Sequence, residues 1–259
     1  MTTPALLADP INPLQRFNSP SRSWSLLLHT LGLTSFLSTF ASCYLYPTVH
    51  PNYTSHSDIQ FLNDSFGGHF QFLTIIGLVA AAVGFTAALL ADISGSFQLF
   101  KIKNYISIIS TPLACLVSLL YWTIIAVNKE MMLPPEIIEK MTPTRDFGLH
   151  LSPLIFLTID FLLFSPPWAI NTKTAFYIHF SLGQGYFRWI QYCQKQNGWW
   201  AYPFLENMTM MQRKVFIVAS TFISWLIFVG FRALYDSINR NNLKSPIEGA
   251  SPKETKKRK

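Results

Sequence analysis

Charge is what this sequence has least of. Only 13% of its 259 residues are charged, while 50% are apolar and phenylalanine alone occurs 22 times. That charged share is about half of what soluble domains carry, and the mean hydropathy is +0.27. One soluble core of this size could not hide so much apolar surface, so a soluble single domain is excluded. Cysteine is scarce as well. The three present, Cys43, Cys115 and Cys193, sit in or beside apolar blocks, which excludes a disulfide scaffold and makes them small apolar fillers. There is no internal repeat. The net charge of +7 does not point to nucleic acid, because the basic residues form no patch with interleaved aromatics and instead gather after Tyr235.

What is there is a series of long apolar blocks, in the pattern of an all-α polytopic membrane protein. A span needs ~20 apolar residues, and six blocks qualify: Trp24 to Tyr46, Phe70 to Ala91, Tyr105 to Val127, Phe147 to Phe164, Thr174 to Cys193 and Val215 to Tyr235. Each must be helical, since lipid offers no partner to an unpaired backbone group. The expected organisation is a cytosolic segment over 1–23, a six-helix membrane domain over 24–235 and a basic cytosolic tail over 236–259. The first segment is Pro-rich and polar with no cleavable signal, and the first block is long enough to remain as an anchor.

Orientation follows from the basic residues. With a cytosolic N-terminus, twelve Lys and Arg fall on the cytosolic side and six in the opposite loops, which favours both termini in the cytosol. Three glycosylation sequons, beginning at Asn52, Asn63 and Asn207, all fall in loops assigned to the lumen. The chain ends Lys256-Lys257-Arg258-Lys259. Lysines at the third and fourth positions from a cytosolic C-terminus form a dilysine signal read by coat machinery, which retrieves membrane proteins to the endoplasmic reticulum. The alternative for such a tail is contact with anionic headgroups.

An ionisable group inside a bilayer is costly and so a functional candidate. His29, His150, Asp160 and His179 lie within the blocks, and Arg188 lies near the lumenal end of the fifth. His29 and His179 share the cytosolic leaflet. His150 lies near a lumenal start, at the same depth as Thr74. Were those helices neighbours, an imidazole could activate the hydroxyl as a nucleophile. An ordinary helix-to-helix hydrogen bond accounts for either residue equally well on spacing alone. Asp160 points away from His150 and reads as a packing contact. Gly77, Ala80, Ala81 and Gly84 form a small-residue face for close approach to a neighbour.

Four stretches add a resemblance. Gly67-Gly-His-Phe-Gln-Phe-Leu-Thr74, Val127-Asn-Lys-Glu-Met131, Phe147-Gly-Leu-His150-Leu-Ser-Pro-Leu and Gly198-Trp-Trp-Ala-Tyr-Pro-Phe-Leu-Glu206 occur in this order. Together they resemble the androgen-induced-gene family, which includes the androgen-dependent TFPI-regulating protein: membrane hydrolases of fatty acid esters of hydroxy fatty acids. The resemblance runs from about Trp24 to Tyr235. It implies that Thr74 is the nucleophile and His150 its base, in a membrane of the endoplasmic reticulum or a related compartment, with membrane lipid esters as substrate and no cofactor or metal. The longer N-terminus, the charged tail, and Gln194-Lys195 where family members carry paired histidines, are departures.

Lys129, in the loop after the third span, is the candidate for holding a substrate carboxylate; its plainer role is a solvated partner of a neighbouring Glu. Trp199, Trp200 and Tyr202 are candidate oxyanion donors, with an interfacial aromatic belt as their default role. The competing functions are a haem or metal carrier using His29 and His179, and a transporter or scaffold of the endoplasmic reticulum using Asp160 and Arg188.

Overall fold

Away from water a backbone amide finds its partner most readily within its own helix, and each of these apolar blocks is helical. The computed structural model describes residues 24–45, 64–132 and 142–239, and no strand occurs among them. The helices are α1 (Trp24–Leu45), α2 (Leu73–Ser94), α3 (Phe97–Val127), α4 (Pro143–His150), α5 (Ser152–Phe164), α6 (Thr172–Asn197), α7 (Pro203–Glu206) and α8 (Met210–Asn239), with single 3-10 turns at Gly68–Gln71 and Lys129–Met131. Asn52, Asn63, the terminal dilysine and all of 1–23 lie outside the described residues.

Among the described residues four helices, α1, α2, α3 and α8, are long and apolar enough to cross a membrane. A fifth span forms if α4 and α5, which meet at 41°, are taken together. The remaining expected span, the fifth block of the sequence, is α6, a continuous helix of 26 residues, ~39 Å long. It does not qualify on composition, because His179, Gln184, Arg188, Gln191, Gln194 and Lys195 interrupt its apolar residues.

Several boundaries shift for local reasons. Helix α2 begins at Leu73 rather than Phe70 because residues 68–71 make a tighter turn, entered through Gly67 and Gly68 at φ 83° and 46°. That is backbone only glycine adopts without strain. Helix α3 begins eight residues before Tyr105: the Ser96 side chain accepts from the Leu99 amide and caps a turn that takes in Lys101 and Lys103. Helix α8 starts on a reciprocal cap, in which Thr209 Oγ1 accepts from the Gln212 amide and Gln212 Oε1 from the Thr209 amide. It runs to Asn239, so helix continues four residues into the expected tail.

The α4–α5 bend sits at Leu151, two residues before Pro153. Proline removes the amide that would bond the Leu149 carbonyl. The Ser118 hydroxyl of α3 donates to the neighbouring His150 carbonyl, and Ser35 pairs with Ser152 at 2.7 Å. Polar side chains thus hold the break.

Helix α2 packs between α1 and α3, α5 against α1 and α3, and α6 on α8, which in turn leans on α3. The small-residue face of α2 meets α3: a Cβ at Gly84 would lie 3.2 Å from Ile106 and one at Gly77 3.7 Å from Leu113. Helices α6 and α8 approach just as closely at Gly183, whose added Cβ would collide with Thr221 Oγ1, whereas a Cβ at Gly185 meets nothing within 4 Å. Alanine at either position gains ~1 kcal/mol of helix propensity. Gly185→Ala should therefore raise the thermal midpoint, while Gly183→Ala loses that gain to ~1–3 kcal/mol of overpacking. Equal midpoints for the two would contradict the close crossing.

At the end of the bundle away from Thr74, four helices converge on an ionic cluster. His29 Nδ1 lies 2.8 Å from Asp92 and its Nε2 2.9 Å from Asp160. Lys103 Nζ donates to both Asp160 oxygens, at 2.5 and 2.7 Å, and to Ser165 Oγ at 2.7 Å. All four charged side chains are buried. A carboxylate on each ring nitrogen calls for donation from both, so an imidazolium at His29 with Lys103 balances Asp92 and Asp160. Lys103 lies between the second and third apolar blocks of the sequence and falls among the twelve basic residues assigned to the cytosolic side, yet it is 2% exposed. The cluster also accounts for Asp160 as a packing residue.

Candidate functional site

The turn of residues 68–71 is gripped by α6. Trp189 Nε1 donates to the Phe70 carbonyl at 2.8 Å, the Tyr186 hydroxyl to the Gln71 carbonyl at 2.9 Å, and Asn197 pairs with both backbone groups of Phe66. His69 rests its ring 4.7 Å from that of Tyr44 on α1. These contacts fix the N-terminus of α2, where Thr74 is the second residue.

Amides in a first helical turn lack intrahelical partners. Here the Tyr202 hydroxyl accepts from the Leu73 amide at 2.8 Å, and it lies within bonding range of the Thr74 amide, the Thr74 hydroxyl and Tyr186. Burial pushes the Tyr202 phenol up, so it stays protonated. Thr74 therefore sits where backbone amides and the positive end of a helix dipole converge.

Below it lies a cavity of about 440 Å³ between α2 and α3 on one side and α6 and α8 on the other. Its lining is overwhelmingly apolar. Thr74, Tyr121, Tyr186 and Tyr202 stand at one end, and His179 and Ser224 line it further down.

His150 ends α4 and is buried. Its Nδ1 lies 2.8 Å from Asp146 Oδ1, one turn earlier on the same helix. Asp146 also accepts from the Tyr121 hydroxyl. The Tyr121 ring stacks on the imidazole, with centroids 3.3 Å apart and planes 6° from parallel. A carboxylate facing Nδ1 fixes the tautomer and leaves the Nε2 lone pair to act as a base.

Thr74 and His150 are not hydrogen-bonded to each other. What they share is Tyr121, which lines the cavity with Thr74 and stacks on His150. Their helices are in contact, the condition that similar depth alone left open. Lys129 is exposed, in the turn after α3, and its charge reaches Asp146. It is therefore on the His150 side of the site rather than among the residues lining the cavity.

Sequence reasoning missed Asp146. The signal was the four-residue spacing Asp146–His150, hidden because residues before Phe147 read as loop. The aromatic-belt expectation is also corrected. Trp199 and Trp200 are buried, the Trp200 ring is covered by the Arg213 guanidinium at 4.2 Å, and the Trp200 amide donates to Glu206. The loop they form seats Tyr202 over Thr74.

His29 and His179 share no site. The first is held by two carboxylates and the second by Ser224 at 2.9 Å. Among the described residues no group of three or more His, Cys, Asp or Glu is arranged to hold a metal ion.

The family model described as FAR-17a/AIG1-like protein matches residues 25–236. A UPF0641 membrane protein of Schizosaccharomyces pombe is 28% identical over 217 residues, covering 84% of this chain and 92% of its own. The human androgen-induced gene 1 protein is 23% identical over 182 residues, covering 64% and 76% respectively. A UPF0641 membrane protein of Saccharomyces cerevisiae is 25% identical over 186 residues, with the same coverage. No solved structure matches the chain significantly.

Proposed function

The chain belongs to the FAR-17a/AIG1-like family, and from that premise we propose that it is an intramembrane lipid-ester hydrolase with Thr74 as nucleophile and His150 as base. The observation that carries this reading is the position of Thr74: a hydroxyl on the first turn of α2, at the head of a long apolar cavity, beside an ordered phenol. An acyl chain lying in this cavity would bring its carbonyl to the threonine.

The steps balance without a cofactor. His150 Nε2 takes the Thr74 proton as Oγ attacks the carbonyl carbon. Tyr202 O–H, whose oxygen accepts from the Leu73 amide, faces the developing oxyanion, where a donor is worth about 3 kcal/mol. The tetrahedral centre collapses to acyl-threonine, and the departing alkoxide takes the proton from His150. Water then gives a proton to His150 and attacks the acyl carbon. Thr74 leaves, recovers the proton and releases the fatty acid. In the resting arrangement Asp146 holds the imidazole. Activation requires a rotation that brings His150 past Tyr121 to Thr74; such bonds often tighten only when substrate is bound.

The substrate class proposed is fatty acid esters of hydroxy fatty acids, with Lys129 drawing the free carboxylate to the mouth. In this reading α6 also spans the membrane, with His179 turned into the cavity and Gln191 toward Met210 of α8. Both termini are then cytosolic, Thr74 lies toward the lumen, and the dilysine signal engages coat machinery that keeps the protein in the endoplasmic reticulum.

The test is turnover. Purified protein in lipid nanodiscs is given a fatty acid ester of a hydroxy fatty acid, and both products are followed by mass spectrometry. Equimolar release of fatty acid and hydroxy acid, repeated over many turnovers, supports the reading. Binding without release over the same period overturns it in favour of a carrier or scaffold.

A further inference from the structure

The cavity is polar at a second place, below the site already described. His179 lies seven residues before Tyr186 on α6, which is ~11 Å along the helix. Its imidazole is 5% exposed, Nδ1 is 2.9 Å from Ser224 Oγ, and Nε2 is buried with no hydrogen-bond partner. Both residues line the cavity, as does the buried Ser220. A buried ring nitrogen left unpaired costs ~1–3 kcal/mol, and a polar ligand would remove that cost.

The chemistry of the surroundings selects the ligand. No lysine, arginine, aspartate or glutamate lines the cavity, so a carboxylate or ammonium would be buried without a countercharge. A neutral oxygen fits. If Ser224 donates to Nδ1, Nε2 carries a proton and donates; if Nδ1 donates to Ser224, Nε2 accepts. A hydroxyl can donate and accept, so it satisfies His179 in either tautomer. An ester or ketone oxygen satisfies only one.

We propose that His179 and Ser224 form a subsite for a hydroxyl group carried partway along the acyl chain that occupies the cavity. The proposal rests on the hydrolase reading for its substrate but predicts a binding preference that is independent of turnover. Its consequence is selection for hydroxylated acyl chains, with the favoured hydroxyl position set by the distance between Thr74 and His179.

The experiment is displacement of a fluorescent fatty acyl methyl ester from the Thr74→Ala protein in nanodiscs. The competitors are methyl stearate and its positional isomers bearing one hydroxyl at carbons 3, 6, 9, 12 or 17. The expected result is that one or two mid-chain isomers compete about five- to tenfold better than methyl stearate, the value of one hydrogen bond. His179→Leu should abolish that preference, so that hydroxylated esters and methyl stearate compete equally in that variant. His179→Gln, which keeps a donor and an acceptor, should retain part of it and serves as the control for folding. Equal competition by all isomers in the parent-like protein overturns the subsite, as does a mid-chain preference that survives His179→Leu. Failure of the hydrolase reading shows separately, as absence of turnover by the protein with Thr74 intact, and leaves the displacement result standing.

Discussion

Asp160→Ala should cost about 3–5 kcal/mol of stability, the usual loss when one partner of a buried ion pair is removed. The substitution leaves the Lys103 ammonium 2% exposed with only Ser165 and the Phe164 carbonyl to bond, and strips the partner from His29 Nε2. Lys103→Leu should be similarly damaging, because Asp160 then shares one histidine and no lysine. The double variant Asp160→Leu/Lys103→Leu removes one charge of each sign and leaves His29 paired with Asp92 at 2.8 Å. It should recover most of the loss, as apolar replacement of whole buried pairs often does. Thermal unfolding in one detergent, followed by tryptophan fluorescence, gives the comparison. A double variant as unstable as the sum of the singles would mean the two side chains act independently.

The second large effect concerns catalysis. Thr74→Ala and His150→Ala should each reduce ester turnover by at least about a thousandfold, since members of a nucleophile–base unit fail together rather than in proportion. Combining them should add little. Asp146→Asn is the sharper test of the geometry. The amide can bond Nδ1 without fixing which nitrogen carries the proton, and loss of tautomer control of this kind lowers kcat by up to about 10⁴-fold. The expected signature is a fall in kcat with KM little changed, and partial recovery in Asp146→Glu. A merely structural role for Asp146 would show as a lowered thermal midpoint with normal turnover of the folded fraction. Tyr121→Phe keeps the stacked ring and removes one donor to Asp146, so it should lower kcat far less than Asp146→Asn.

Much of this arrangement was legible because membrane helices advertise themselves. Runs such as Leu73 to Ser94 have no soluble alternative, and depth along each helix put Thr74 and His150 at a similar level without showing that their helices are neighbours. The small-residue face of α2 was visible too, although not that it meets α3. Asp146 and Lys103 escaped for a common reason. Each is a charge just outside an apolar block, and hydropathy marks where apolar residues stop rather than where a helix stops. Ser96 as an N-cap and the four-residue Asp146–His150 spacing were the available signals. The ionic cluster could not be read at all, because Asp92, Lys103 and Asp160 are brought together by packing of helices far apart in sequence. The role of Tyr202 was obscured by the habit of tryptophan and tyrosine to mark membrane interfaces, when this loop instead turns inward over the α2 N-terminus.

Fluorophosphonate labelling reads directly whether the Thr74 hydroxyl is activated. The parent protein and Thr74→Ala would be labelled in parallel and digested, and the modified peptide located by mass spectrometry. A phosphonate adduct is expected on Thr74 in the parent, reduced in His150→Ala and absent in Thr74→Ala. Equal labelling of the parent and Thr74→Ala, or no labelling of folded parent protein that hydrolyses its ester, would contradict activation at Thr74.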